Sequence, residues 1–242
     1  MQNRWLVPFI NIGHLLDHLV MLVFPTAVVA LAREWGRPYA ELLPLALGAF
    51  IAFGVFAIPA GWLADHWSRY RTMVLFFFGI GASMIVTGFA REPWQIAAGL
   101  TVTGAFAAIY HPVGIAMLVA TAGKMGRMLG WNGLWGNLGL AFAALATGAL
   151  VDFAGWRAAF FVPGIVCIAA GIGFLALVKD PGPAKKASRS TQQGLIGTYI
   201  HHGGQLSELL AMQGVEPLLL TLLGGHITDP PVLRDASVNG ES

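Results

Sequence analysis

The chain has 242 residues, of which 56% are apolar and 11% are charged, and its net charge is +2 with histidine neutral. Soluble domains carry about 25% charged residues, so this composition excludes an ordinary water-soluble protein. The small net charge argues against a nucleic-acid surface, and the lone Cys167 excludes an internal disulfide or a metal site built on several cysteines.

Six stretches are long and apolar enough to cross a bilayer, which takes about 20 residues in a helix. In the first, between Arg4 and Arg33, Asp17 is the only charged residue. The other five hold no charged residue: 42–64, 72–90, 93–123, 128–151 and 158–178. We therefore predict an all-α integral membrane protein whose transmembrane bundle covers residues 1–178.

The first span carries three ionisable side chains on one face. His14, Asp17 and His18 follow the i, i+3, i+4 spacing of neighbours on a helix surface. A charged aspartate near the bilayer centre costs about 2.5–3.5 kcal/mol on insertion scales, so it normally faces a cavity or a partner. We expect this face to line a polar path. The alternative is that individual histidines only hydrogen-bond a neighbouring helix.

A catalytic or metal centre has little support in the sequence. His14 and His18 have the i, i+4 spacing of a zinc pair, but no glutamate follows His14 as in H-E-x-x-H. No nucleophile and base pair and no phosphate-binding glycine loop stands out. We predict no metal, no cofactor and no enzymatic activity.

The turn after the second span is the most specific motif. It runs Gly61-Trp62-Leu63-Ala64-Asp65-His66-Trp67-Ser68-Arg69-Tyr70-Arg71. The turn resembles the signature loop of the major facilitator superfamily. The matching residues are Gly61, Leu63, Ala64, Asp65, Arg69 and Arg71, while His66 and Ser68 stand where arginine and glycine are usual. The resemblance implies a conformational switch in which Asp65, Arg69 and Arg71 latch the outward-facing state. The alternative is a topology anchor of arginines that reach the membrane interface.

A weaker copy of this turn ends the fifth span. Gly148-Ala149-Leu150-Val151-Asp152 repeats the pattern of residues 61–65, and Arg157 follows Asp152 by five residues where Arg69 follows Asp65 by four. Copies separated by three spans face opposite sides of the membrane. The sequence therefore predicts a 3+3 inverted repeat, as in each six-helix half of the carriers that the chain resembles. The alternative is that small residues and an aspartate simply recur at helix ends.

The fourth and fifth spans add polar candidates. His111 and His14 are about equally far from the cytoplasmic ends of their spans, so we expect them at similar depth. In the superfamily both helices line the central cavity, which makes His14, Asp17, His18 and His111 candidates for contact with solute or proton. Asn132 and Asn137, on the glycine-rich fifth span, are further candidates.

The fifth span also departs from one subgroup of the superfamily. Proton-coupled drug antiporters carry G-P-x-x-G-G on this helix, and Gly136-Asn137-Leu138-Gly139 lacks the proline. This weakens a drug-efflux assignment. The residues His14, Phe24-Pro25 and Tyr110-His111-Pro112 most resemble the branch of fosmidomycin-resistance-like permeases, which implies export of a small organic solute. Histidine titrates near neutral pH and burial can raise the pKa of an aspartate toward it, so we expect the ionisable candidates to carry the proton that drives transport.

Lysine and arginine counts orient the bundle. With the N-terminus inside, nine lie in cytoplasmic segments and four outside, so the positive-inside rule predicts a cell-membrane protein with both termini in the cytoplasm. Residues 179–242 contain no further span. They predict a basic cytoplasmic linker followed by a weakly ordered tail.

The chain resembles only the first half of a family that usually has twelve spans. Alternating access needs two bundles, so the expected partners are a small solute, protons, the lipid bilayer and a second six-helix bundle, with no nucleic acid. Three explanations compete. A gene truncated or frameshifted after the sixth span is favoured over a half-size carrier that works as a homodimer and over a membrane scaffold that transports nothing.

Overall fold

The predicted spans all form helices. The structure, a computed structural model, describes residues 3–121 and 125–180, and within these residues it contains helices and no strand. The elements are α1 (Leu6–Trp35), α2 (Tyr39–Leu42), a 3-10 helix (Leu43–Ala46), α3 (Leu47–His66), α4 (Arg69–Gly88), α5 (Pro93–Ala107), α6 (Tyr110–Val119), α7 (Met125–Ala154) and α8 (Ala158–Leu177). They make six candidate membrane spans, because α2 to α3 form one span and α5 to α6 another. The predicted tail lies, from residue 181 onward, outside the described residues.

Pro112 divides the fourth span into α5 and α6. Proline has no N–H to donate to the Ala108 carbonyl, and its ring crowds that carbonyl. The backbone tightens there, since the Ile109 N–H bonds the Phe106 carbonyl three residues back at 3.1 Å. The break in the span therefore lies directly beside His111.

Helix pairing follows the predicted inverted repeat. The most extensive contacts join α1 to α7, α3 to α5 and α4 to α8. If three spans are repeated, the first corresponds to the fourth, the second to the fifth and the third to the sixth. The contact of α1 with α7 then maps onto that of α5 with α3, and the contact of α4 with α8 maps onto itself. The described helices therefore pack as one half of a major facilitator fold would.

Glycines let two of these pairs approach at backbone distance. A Cβ added to Gly139 of α7 would collide with the carbonyl oxygen of Leu15 on α1, and one added to Gly104 of α5 with that of Ala49 on α3. Such close packing is a main source of attraction between helices in lipid, where the hydrophobic drive is absent. Because Leu15 follows His14, the first contact also fixes the position of the polar face of α1.

The arginine of the second copy of the turn has a different ion-pair partner from that of the first. Arg157 pairs with Glu34 of α1 at 2.7 Å, and Asp152 is exposed. Gly155, at a φ of 80°, begins the turn from α7 to α8. The repeat thus holds in the pairing of helices but not in this ion pair.

Candidate functional site

The structure brings the four predicted ionisable side chains of the first and fourth spans together. His14, Asp17 and His18 project from one face of α1, and His111 meets them from the first turn of α6. Nε2 of His18 lies 3.1 Å from Nε2 of His14, and Nε2 of His111 lies 3.3 Å from Oδ2 of Asp17. We call these four residues the polar cluster.

Asp17 is the most enclosed member of the polar cluster. Its side chain is 1% exposed, and neither carboxylate oxygen has a hydrogen-bond partner among the described residues. The contact with His111 is an ion pair when that imidazole is protonated. A carboxylate buried with so little compensation is costly in a membrane bundle, which is the usual mark of a functional group.

His14 is held in one orientation by a backbone carbonyl. Its Nδ1 lies 2.7 Å from the carbonyl oxygen of Asn132 on α7. A carbonyl only accepts, so Nδ1 carries the proton and, in the neutral ring, Nε2 keeps its lone pair. That lone pair is directed at His18. The ring also stacks on Tyr110, with centroids 4.8 Å apart.

A second hydrogen-bond network lies behind the polar cluster and joins α1, α6 and α7. The side-chain amide of Asn132 donates to Asn11 Oδ1 at 3.0 Å and to the Tyr110 hydroxyl at 2.8 Å. Tyr110 in turn donates to the carbonyl of Ile10 at 2.9 Å. Asn11 was not among the predicted site residues, although it lies three residues before His14 on the same side of α1. Asn132 therefore supports the polar cluster from behind.

Asn137 does not join this network. It is exposed on α7, whereas Asn132 is buried. Among the described residues, the hydrogen bonds that surround the polar cluster use the first asparagine and not the second.

The members of the polar cluster differ in exposure. His14 and Asp17 are buried, but His18 and His111 are half-buried. One ring nitrogen from each of the three histidines lies within 4.8 Å of the others. Imidazoles and a carboxylate in this arrangement can hydrogen-bond a polar solute, exchange protons or coordinate a transition-metal ion.

The turn between α3 and α4 is a separate polar site. Arg69 donates to Asp65 at 2.9 Å, whereas the Arg71 guanidinium lies over the Trp67 ring at 5.8 Å. Nε of Arg69 is buried and has no hydrogen-bond partner in the described part of the chain. A Cβ on Gly61 would meet the ring of Pro112 at 3.5 Å, so this glycine lies against the break in the fourth span.

The chain matches one protein family and is similar in sequence to several known proteins. Residues 10–233 match the family model described as Major Facilitator Superfamily. The chain is 26% identical to the puromycin resistance protein pur8 of Streptomyces alboniger, over 92% of this chain and 45% of that protein. It is 24% identical to a probable hexose phosphate transport protein of Chlamydia pneumoniae, over 70% of this chain and 38% of that protein.

A solved structure shares the fold. The crystal structure of the POT family transporter PepTSo superposes with a TM-score of 0.61 over 75% of this chain and 39% of its own, at 18% identity. The chain thus spans less than half the length of these relatives. Over a further match of 26 residues, 11% of this chain, it is 77% identical to Elongation factor Ts of Solibacter usitatus, covering 12% of that protein.

Proposed function

Because the chain belongs to the major facilitator superfamily, a family of membrane transporters and not of enzymes, we propose that it forms the N-terminal six-helix half of a carrier for a small organic solute. One observation supports this most strongly. The polar cluster holds Asp17, which is the one charged residue of the six apolar stretches, together with three histidines, of which His18 and His111 are partly exposed. Costly ionisable groups placed in this way are typical of a substrate or ion path.

The proposed carrier needs a second six-helix bundle. In this fold two bundles rock about a site that lies between them, so one bundle cannot alternate access. We propose that the second bundle is encoded beyond an interruption or frameshift after the sixth span. The chain's share of pur8, 45%, supports a missing half. A second copy of this chain is the alternative source.

We further propose that the carrier exports its solute and that protons drive the export. Pur8 is named for resistance to puromycin, which supports export. Sodium sites in carriers are built from oxygen ligands, including backbone carbonyls of unwound helices. The carboxylate of Asp17 has an imidazole nitrogen, Nε2 of His111, at 3.3 Å, which favours protons over sodium as the coupling ion.

The proposed setting is the cell membrane, with both termini in the cytoplasm. Nine lysines and arginines against four favour this orientation. The turn with Asp65 and Arg69 then faces the cytoplasm. There the unused Nε of Arg69 could bond the second bundle, as expected of a latch between the halves.

Proton movement into liposomes that contain a pH-sensitive dye tests the proposed function. The chain is reconstituted alone and together with the six-helix product that the proposal expects from a downstream reading frame. The solute panel includes puromycin and a hexose phosphate. We expect solute-linked proton movement only in the two-part sample. Activity of the chain alone, with a cross-linked dimer, would replace the missing half by a second copy, and no solute-linked movement in either sample would favour a scaffold.

The latch gives a separate prediction. Asp65→Asn should shift the two-part carrier toward the inward-facing state by up to about fivefold, since an exposed ion pair contributes at most about 1 kcal/mol. Arg71→Gln is the matched control, because Arg71 contacts Trp67 and not Asp65. Labelling of a cysteine introduced on the proposed outer side measures the shift. Equal labelling of both variants would contradict the latch and indicate that the loop serves only as a topology anchor.

A further inference from the structure

We propose that His14, His18 and His111 form a binding site for Zn²⁺ between α1 and α6. The sequence offered only a pair of histidines at i, i+4, which is a weak zinc signal. The fold adds the third imidazole from another helix, at the break beside Pro112. The proposal does not depend on whether the chain transports a solute.

The nitrogen positions are close to those that zinc requires. Tetrahedral zinc with bonds of about 2.0–2.1 Å holds its nitrogen ligands about 3.3 Å apart. Nε2 of His14 and Nε2 of His18 are 3.1 Å apart, and all three histidines offer a nitrogen within 4.8 Å of the others. The widest separation therefore has to close by at most about 1.5 Å on binding. His18 and His111 are half-buried, so small rotations of their side chains can supply this movement.

The groups behind the ligands resemble the outer shell of a zinc site. Zinc-bound histidines usually donate their second N–H to a carbonyl or carboxylate, which fixes the ring and its tautomer. The carbonyl of Asn132 plays this part for His14 at 2.7 Å, and the hydrogen bonds from Asn132 to Asn11 and Tyr110 hold that segment in place.

Asp17 supplies the matching charge. Its Oδ2 lies 3.3 Å from His111, where it can orient that ring or serve as the fourth ligand. A divalent cation would also offset the charge of a carboxylate whose oxygens have no hydrogen-bond partner among the described residues. Imidazole ligands favour zinc, copper and nickel over magnesium and calcium. Water or a solute atom can complete the coordination, because His18 and His111 are partly exposed.

The test is metal binding by the full chain, purified in detergent without an affinity tag of histidines. Zn²⁺ is titrated by calorimetry, and Co²⁺ replaces it so that tetrahedral coordination is seen by visible absorption. We expect one Zn²⁺ per chain, no response to Mg²⁺, and binding at least tenfold weaker in His18→Gln and in His111→Gln. Asp17→Asn should weaken binding by about 10- to 100-fold, as the loss of outer-shell carboxylates does elsewhere.

Two controls make the result specific. His66→Gln removes a histidine of the α3–α4 turn that lies outside the polar cluster, and it should leave the affinity unchanged. The double variant His201→Gln, His202→Gln removes the adjacent pair near the C-terminus. Loss of binding only in the double variant would place the metal there and overturn the proposal. An absence of stoichiometric Zn²⁺ binding, or a Co²⁺ spectrum without tetrahedral bands in the unaltered chain, would overturn it as well.

Discussion

Asp17→Asn is expected to reduce solute-linked proton movement in the two-part carrier to the level of vesicles without protein. Asparagine has almost the shape of aspartate, but it can neither carry a proton nor form an ion pair with His111. The bundle should still fold, because a neutral amide costs less to bury than a carboxylate that has no hydrogen-bond partner among the described residues. Dye fluorescence in the liposome assay measures the effect.

Asp152→Asn is the matched control for this prediction. Asp152 is also an aspartate on a spanning helix, but it is exposed near the end of α7. It should leave coupling unchanged. A chelator in every buffer keeps bound zinc from altering the result. Normal coupling in Asp17→Asn would remove Asp17 from the transport mechanism and leave the zinc proposal to its own test.

Only part of the polar cluster can be predicted from residue spacing along one helix. The spacing of His14, Asp17 and His18 places them on one helix face whatever the tertiary structure, so the sequence predicts that part directly. The approach of His111 depends on how α6 restarts after Pro112 and on which helices pack together. Span depth predicted that His111 and His14 would lie level. That their rings would come within a few ångströms is a result of packing.

Asn132 and Asn137 differ in burial although both lie on α7. Both were candidates because both lie in the glycine-rich fifth span, yet five residues turn about 140° around an α-helix. One side chain can therefore face α1 while the other faces away, and the structure buries only Asn132. The helical angle alone predicts that the two asparagines face different sides of α7, but it does not predict which of them is buried.

The two copies of the turn illustrate a limit of repeat arguments. In the first copy Asp65 and Arg69 are four residues apart, a spacing at which side chains pair along the chain. In the second copy Arg157 lies five residues after Asp152, beyond the turn at Gly155. There the guanidinium of Arg157 pairs with Glu34 of α1. A repeat in sequence therefore preserves helix pairing more reliably than it preserves individual ion pairs.

A single methyl group added at the contact of α1 with α7 is expected to have a large effect on the stability of the bundle. Gly139→Ala is expected to destabilise the bundle by about 1–3 kcal/mol or more, because its Cβ would collide with the backbone carbonyl of Leu15, which cannot rotate away. Separating α1 from α7 would also pull His14 from the Asn132 carbonyl. Thermal unfolding in detergent, followed by the fraction of intact monodisperse protein, measures the loss.

Gly133→Ala on the same helix is the matched control. A Cβ there meets nothing within 4 Å, and alanine favours a helix over glycine by up to about 1 kcal/mol. The two variants carry the same chemical change, but Gly139→Ala should lower the unfolding temperature, whereas Gly133→Ala should leave it unchanged or raise it. If both variants were equally stable, α1 and α7 would not approach at Leu15 as described. The support for His14 from α7, on which both the transport and the zinc proposals rely, would then have to come from elsewhere.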